Sequence, residues 1–190
     1  MDDPTSSRER LILILREHSL VLGEITLSSG KTSSYYIDAR RTVMRPDGQK
    51  AAGKLIARHA TDLGASAVGG PVMAAIPLAC AAISVPEGEG LVGFFVRKER
   101  KEHGLQRWVE GGAEPGDRVL VVEDTVTTGG STISAIERIR EEGFEIAGVL
   151  SLVDRLSGGG EAIAAAAAAP YEALTTIDDI YPDRPDRPDR

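Results

Sequence analysis

Asparagine is missing from all 190 residues, cysteine and tryptophan each occur once, and aromatic side chains make up only 4% of the chain. Without asparagine there is no acceptor for N-glycosylation. With Cys80 alone there is no intrachain disulfide, and its place among alanines predicts a buried, inert thiol. Long hydrophobic runs are also lacking. The longest apolar region, residues 65–85, is interrupted by Gly69-Gly70-Pro71 and Pro77, so a strand and a buried helix are expected there in place of a membrane span. Positive charge is scarce as well: the formal net charge is -7 and no basic stripe runs along the chain, which excludes general affinity for nucleic acid. A local cationic cluster remains compatible with a small anionic ligand. The first residues are charged and show no signal-peptide apolar stretch, so a cytoplasmic protein is expected.

What is present suits one domain, since 190 residues at 42% hydrophobic content can bury a substantial core but would crowd two. The informative stretch is Arg118 to Thr132, Arg118-Val119-Leu120-Val121-Val122-Glu123-Asp124-Thr125-Val126-Thr127-Thr128-Gly129-Gly130-Ser131-Thr132. A β-branched apolar run ends in two carboxylates, passes into threonines and glycines, and is followed by Ile133, Ile136 and Ile139 at helical spacing. This reads as a buried parallel strand, a phosphate-sized loop and a helix. Gly129 and Gly130 permit positive φ and a close backbone approach, by which N–H groups surround an anion at a helix N-terminus. The hydroxyls of the loop add donors, and Glu123 and Asp124 add acceptors. Donors for a phosphate beside acceptors for a diol suit a sugar phosphate. No lysine follows Gly130, so this is not a nucleotide-triphosphate loop, and no G-x-G-x-x-G follows any strand.

Around this centre, Ser6 to Glu9 forms a capping box for a first helix running through His18. Residues 21–27 and 35–38 are strand-like and are joined by a polar turn containing Lys31. Asp47 is expected to cap a helix from about Gly48 to Leu63, ended by Gly64. Ala67 to Pro71 reads as a short strand closing in glycines, and Leu91 to Val96 as another strand. Next comes Arg97-Lys98-Glu99-Arg100-Lys101-Glu102-His103-Gly104, a long polar connection of the kind that carries function in a compact domain. The central helix should end near Glu142 with Gly143 after it, followed by a strand from Ile146 to Val153, then Asp154-Arg155. An alanine-rich helix from Glu161 to Ala169 and a last strand from Tyr171 to Ile177 complete the domain. The repeated Pro-Asp-Arg of residues 181–190 has nothing to bury and is expected to be disordered, leaving a domain over residues 1–180. Strands alternating with helices indicate an α/β fold with a mainly parallel sheet flanked by helices and a ligand crevice at the strand ends.

The Glu123 to Ser131 stretch resembles the phosphoribosyl pyrophosphate motif of type I phosphoribosyltransferases. The loop Arg97-Lys98-x-x-Lys101-x-His103-Gly104 resembles the catalytic loop of the orotate phosphoribosyltransferases within that family. Leu27-Ser28-Ser29-Gly30-Lys31 resembles their N-terminal hood, with Ser28 where many members carry lysine. The resemblance implies a small hood from about residues 1–45 together with a C-terminal part. It further implies transfer of a phosphoribosyl group to orotate, giving orotidine 5′-monophosphate and pyrophosphate. Lys101, His103 and Asp124 would then be catalytic. Phosphoribosyl pyrophosphate would be bound by Arg97, Lys98, Lys101, His103, Glu123 and Asp124, and by Thr125, Val126, Thr127, Thr128, Gly129, Gly130 and Ser131. Orotate would meet Thr127, Lys31 and Arg155. The family's backbone cradle for pyrophosphate would fall at Gly69-Gly70-Pro71, and Ala74 stands where a lysine is frequent. Magnesium would arrive on the pyrophosphate with no dedicated protein site, since it prefers substrate oxygens. A homodimer with shared active sites is implied too, the basic loop reaching into the partner. Two rivals stay open: transfer to a purine or other base, and a regulator that senses the same sugar on this fold. The acidic chain shows no basic face or helix-turn-helix for the latter.

Overall fold

The computed structural model describes residues 4–26, 30, 32–100 and 107–187. Helix α1 (Pro4–His18) leads into a hairpin of β1 (Leu20–Thr26) and β2 (Thr32–Ile37), a two-stranded antiparallel sheet with Leu20 opposite Ile37. Two helices follow, the short α2 (Arg40–Val43) and the longer α3 (Pro46–Asp62). The body is a six-stranded sheet in the order β5-β4-β3-β6-β7-β8. Its strands are β3 (Ala67–Pro71), β4 (Val92–Val96), β5 (Val109–Gly111), β6 (Arg118–Val126), β7 (Glu145–Asp154) and β8 (Tyr171–Thr176). All neighbours are parallel except β4 and β5. The connecting helices are α4 (Ala75–Ile83), α5 (Gly130–Glu141), α6 (Gly159–Ala167) and the final turn α7 (Ile177–Ile180).

Alternation along β6 explains the layering. Leu120 and Val122 join a core with α1, α3, α4 and the hood, whereas Val119 and Val121 face Ile136, Ile139 and Ile163 of α5 and α6. The sheet is therefore covered on both sides, as an apolar parallel strand requires. Strand order puts the ends of β3, β6 and β7 side by side, so Gly70, Asp124 and Arg155 come to one edge.

Several local expectations are corrected. Pro4 already lies in α1, so Ser6 and Glu9 sit inside the helix in place of capping it; proline is favoured in a first turn because its missing N–H is not needed there. For the same reason α3 starts at Pro46, and Asp47 falls in its first turn with Arg45 as N-cap. The strand expected from Ala67 to Pro71 is β3 with those bounds, and Gly69 and Gly70 lie within it. A Cβ on Gly69 would be 2.1 Å from the Phe94 carbonyl oxygen, and one on Gly70 would be 2.1 Å from that of Val122, so close strand packing is what demands both glycines. The turn at the strand end is Val72-Met73-Ala74. Cys80 is exposed on α4, where it lines an open groove beside β4 in place of being buried. Strand β5 and helix α7 had no expectation of their own; Thr176 and Asp179 form a reciprocal capping box that ends β8 and starts α7.

The tail is corrected as well through Arg187. Arg184 is buried and paired with Asp178, Arg187 Nη2 donates to Asp178 Oδ2 at 3.2 Å, and Tyr181 meets Tyr35 edge to face at 5.4 Å. Three arginine-aspartate repeats looked solvated by composition, yet Asp178 in α7 gives two of the arginines a common partner.

Candidate active site

The paired acids part company at the end of β6. Glu123 lies on the α5 side and is 5% exposed; its Oε2 accepts from Ser131 Oγ and from Thr132 Oγ1, both at 3.0 Å, and its Oε1 accepts from the Asp124 amide at 3.3 Å. Burial, and secondly the charge of Asp124, push its carboxyl up to about 7. Asp124 points toward the hood and is partly buried, with Oδ1 accepting from the Thr125 amide at 2.7 Å. Burial raises its pKa too, against the pull of that amide and of Arg40. Glu123 and Asp124, both expected as acceptors for a diol, thus divide into one acid that ties down the loop and one that faces the crevice.

The loop itself is built as a helix entrance. Gly129 is the N-cap of α5 at φ 80°, and a Cβ there would lie 2.8 Å from Ile163 Cγ1 and 3.0 Å from the Gly159 carbonyl oxygen. Gly130 does not need positive φ; it is the first helical residue, and no atom lies within 4 Å of where its Cβ would be. Thr127, Thr128, Gly130 and Ser131 are exposed, so the unpaired amides of the first helical turn open toward solvent. Val126 is buried and anchors the loop, and the Thr125 hydroxyl is buried with no partner among the described residues.

At the end of β7, the Arg155 amide donates to the Val126 carbonyl at 2.9 Å, which locks the two strand ends together. Its guanidinium lies under the hood, 5.3 Å from the Tyr35 ring, with Nη2 donating to Tyr35 Oη at 3.2 Å; Tyr35 Oη in turn donates to Asp186 Oδ2 at 3.0 Å. Arg155 Nε is buried without a partner among the described residues, so this group has donor capacity for a ligand.

On the other flank, Arg97 donates to Glu110 Oε1 at 3.0 Å, and Lys98 is exposed. Both line an open groove of about 500 Å³ with Val72, Met73, Phe95 and Glu99. The base of this connection is fastened to α5: Arg138 donates to the Arg97 carbonyl at 2.8 Å and stacks 4.3 Å from the Trp108 ring. Lys31, Lys101 and His103 lie outside the described residues. Sequence reasoning missed Tyr35 as the partner of Arg155, and it missed Asp38 and Arg40, which face Asp124 from the hood; the only available signal was their place just after a hood strand. No helix among the described residues is long and apolar enough to cross a membrane.

Comparison with known proteins agrees with this fold. The phosphoribosyl transferase domain model matches residues 48–167. The chain is 42% identical over 174 residues to the orotate phosphoribosyltransferase of Corynebacterium glutamicum (strain R), covering 92% of this chain and 94% of the relative. Among solved structures it is similar to Mycobacterium tuberculosis H37Rv orotate phosphoribosyltransferase in complex with Fe(III) dicitrate, at a TM-score of 0.84 and 39% identity, covering 92% of this chain and 99% of that one. The same tuberculosis enzyme in complex with 5-phospho-alpha-D-ribosyl 1-diphosphate matches at a TM-score of 0.79 and 35% identity, over 92% of this chain and 98% of that one. One fold runs through these proteins and this one, nearly end to end, with the loop-and-helix entrance of β6 and α5 inside the matched region, and the chain belongs to the orotate phosphoribosyltransferases, a branch of the type I phosphoribosyltransferase family.

Proposed function

We propose that this protein is a pentosyltransferase of pyrimidine biosynthesis, joining orotate to the ribosyl group of phosphoribosyl pyrophosphate to give orotidine 5′-monophosphate and pyrophosphate. The observation that carries the reading is the convergence at one sheet edge of an open helix N-terminus, the outward carboxylate of Asp124 and the donor-rich guanidinium of Arg155. These suit a phosphate, a ribose diol and a carboxylated base in turn.

In the reaction the ring nitrogen of orotate bonds to the anomeric carbon while the bond from that carbon to the pyrophosphate oxygen breaks. Positive charge grows on the ribose and negative charge on what departs, so acceptors belong on one side and cations on the other. Asp124 holds the ribose hydroxyls and favours a cationic ring. Glu123 keeps the Ser131 and Thr132 hydroxyls in place, and with them the first turn of α5 that receives the 5′-phosphate. Arg97, Lys98, Lys101 and His103 are assigned to the pyrophosphate, with His103 as proton donor to it. Arg155, Thr127 and Lys31 are assigned to orotate. Magnesium fits this donor set as a passenger on the substrate: Asp124 offers one partly exposed carboxylate at the strand end, and the cation would neutralise phosphate oxygens.

A homodimer is part of the same reading. An apolar groove of about 470 Å³ between α4 and the β4–β5 edge, lined by Ile76, Cys80, Ile83 and Phe95, supports a covered face near the root of the basic loop. Mixed dimers of Lys101→Ala and Asp124→Ala subunits should regain activity through one intact site, and silent heterodimers would refute sharing. A cytoplasmic location goes with the proposed pathway. The activity is tested by ultraviolet absorbance, with phosphoribosyl pyrophosphate and magnesium added to orotate, adenine, hypoxanthine and uracil in parallel. Consumption of orotate alone is expected; turnover of a purine with orotate untouched would overturn the assignment.

A further inference from the structure

The turn that follows β3, Val72-Met73-Ala74, brings no charge to the edge where the proposed leaving group lies. A cation does approach that edge from the opposite side. Arg40 opens α2, and its neighbours Ala39 and Val43 are fully buried in the same core cluster as Val122 of β6 and Ala75 at the start of α4. Helix α2 packs against α4, the helix that follows the β3 turn, and against α1 and α3, all on the sheet face that carries Val122 and Asp124. Arg40 Nε donates to Asp38 Oδ1 at 2.8 Å, which fixes one edge of the guanidinium. The side chain is 51% exposed, and its terminal nitrogens have no hydrogen bond among the described residues. The electrostatic coupling of Arg40 to Asp124 agrees with this placement.

A planar fork held by one edge and open at the other is suited to two oxygens of a phosphoryl group. Of the arginines at the neighbouring strand ends, Arg97 already has Glu110 as a partner and Arg155 is held against Tyr35. We propose that Arg40 binds the pyrophosphate end of the activated sugar, supplying from the hood the cation that the β3–α4 turn lacks. The proposal rests on the reading of the site as one for phosphoribosyl pyrophosphate, and it does not depend on which base is used. Asp38 is then a positioning residue, acting through Arg40.

Calorimetric titration of the full chain with inorganic pyrophosphate and magnesium, and separately with ribose 5-phosphate, tests it. Arg40→Ala should weaken pyrophosphate binding about tenfold or more, the loss of a charge-assisted hydrogen bond. Ribose 5-phosphate, which has no pyrophosphate, should keep its affinity within about twofold by the same reasoning. Arg40→Lys should restore part of the loss, because charge returns without the fork. If Arg40→Ala does not fold, Arg40→Gln and Arg40→Lys are read by the same two titrations. Unchanged pyrophosphate affinity, or equal loss for both ligands, overturns the proposal. Wild-type protein that binds both ligands and fails to consume orotate would refute the assigned base while leaving Arg40 in place.

Discussion

Replacing Glu123 by glutamine should stabilise the folded protein, by an amount that grows with pH. The wild-type carboxyl is buried against α5, and burial followed by the charge of Asp124 raises it from an ordinary value of 4.5 to about 7, despite the hydroxyls of Ser131 and Thr132. The unfolded chain releases this proton near 4.5. Between the two values the folded state holds more protons, so stability falls as pH rises through that window and the loss is complete above about 7. At about 1.36 kcal/mol per pH unit, the full effect at pH 8 is on the order of 3 kcal/mol. Glutamine keeps an oxygen that can accept from both hydroxyls but carries no charge to desolvate; a weaker acceptor gives back roughly 1 kcal/mol. The net gain of roughly 2 kcal/mol corresponds to about 4–8 °C in Tm for a chain of this size. Scanning calorimetry of both proteins at pH 5, 6, 7 and 8, at one protein concentration and in buffers free of phosphate, should show curves that nearly coincide at pH 5 and separate steadily above it. A difference in Tm that is constant with pH, or a variant that becomes the less stable of the two as pH rises, would show that Glu123 is not the desolvated acid described.

Lys101→Ala should lower the saturated rate constant by about 10²-fold or more, as removal of one preorganised electrostatic donor does; a full rate at saturation would remove Lys101 from the chemistry. Arg155→Gln should raise the KM for orotate by roughly 10- to 100-fold through loss of a charge-assisted pair, with the KM for phosphoribosyl pyrophosphate little changed. Steady-state kinetics with each substrate varied separates the two, and equal effects would place Arg155 elsewhere. Gly69→Ala should cost at least about 3 kcal/mol, since its Cβ meets backbone that cannot yield; an unaltered melting curve would show that β3 and β4 are not packed as described. The single tryptophan, Trp108, stacks on Arg138 and sits at the root of the connection bearing Arg97 and Lys98, so its fluorescence should change on addition of pyrophosphate and magnesium. A spectrum that stays fixed at saturation would separate that root from the ligand.

The chemistry-bearing elements were legible because their signals are local. A β-branched run can only be a buried strand, paired acids at its end must be near a polar crevice, and glycine with hydroxyls at a helix entrance leaves amides unpaired whatever the rest of the chain does. Strand and helix order along the chain also restricts the topology, since right-handed crossovers between parallel strands leave few arrangements. Local signals were less reliable at boundaries and on surfaces. Pro4 and Pro46 moved two helix starts, and Cys80 lies among small apolar residues yet points outward, because a helix distributes adjacent residues around its whole circumference.

By itself, then, the sequence determined that a buried strand ending in two acids, a glycine- and hydroxyl-rich loop and a helix follow one another, and that Asp124 and Arg155 close strands at one sheet edge. Only the tertiary structure decided that Glu123 turns to Ser131 and Thr132 while Asp124 turns to the hood, that Tyr35 meets Arg155 and is itself held by Asp186, and that Arg40 stands across from Asp124. The physical reason is separation along the chain. Pleating sends consecutive side chains to opposite faces, and what each face meets is brought there by folding from segments dozens of residues away, which no local pattern encodes.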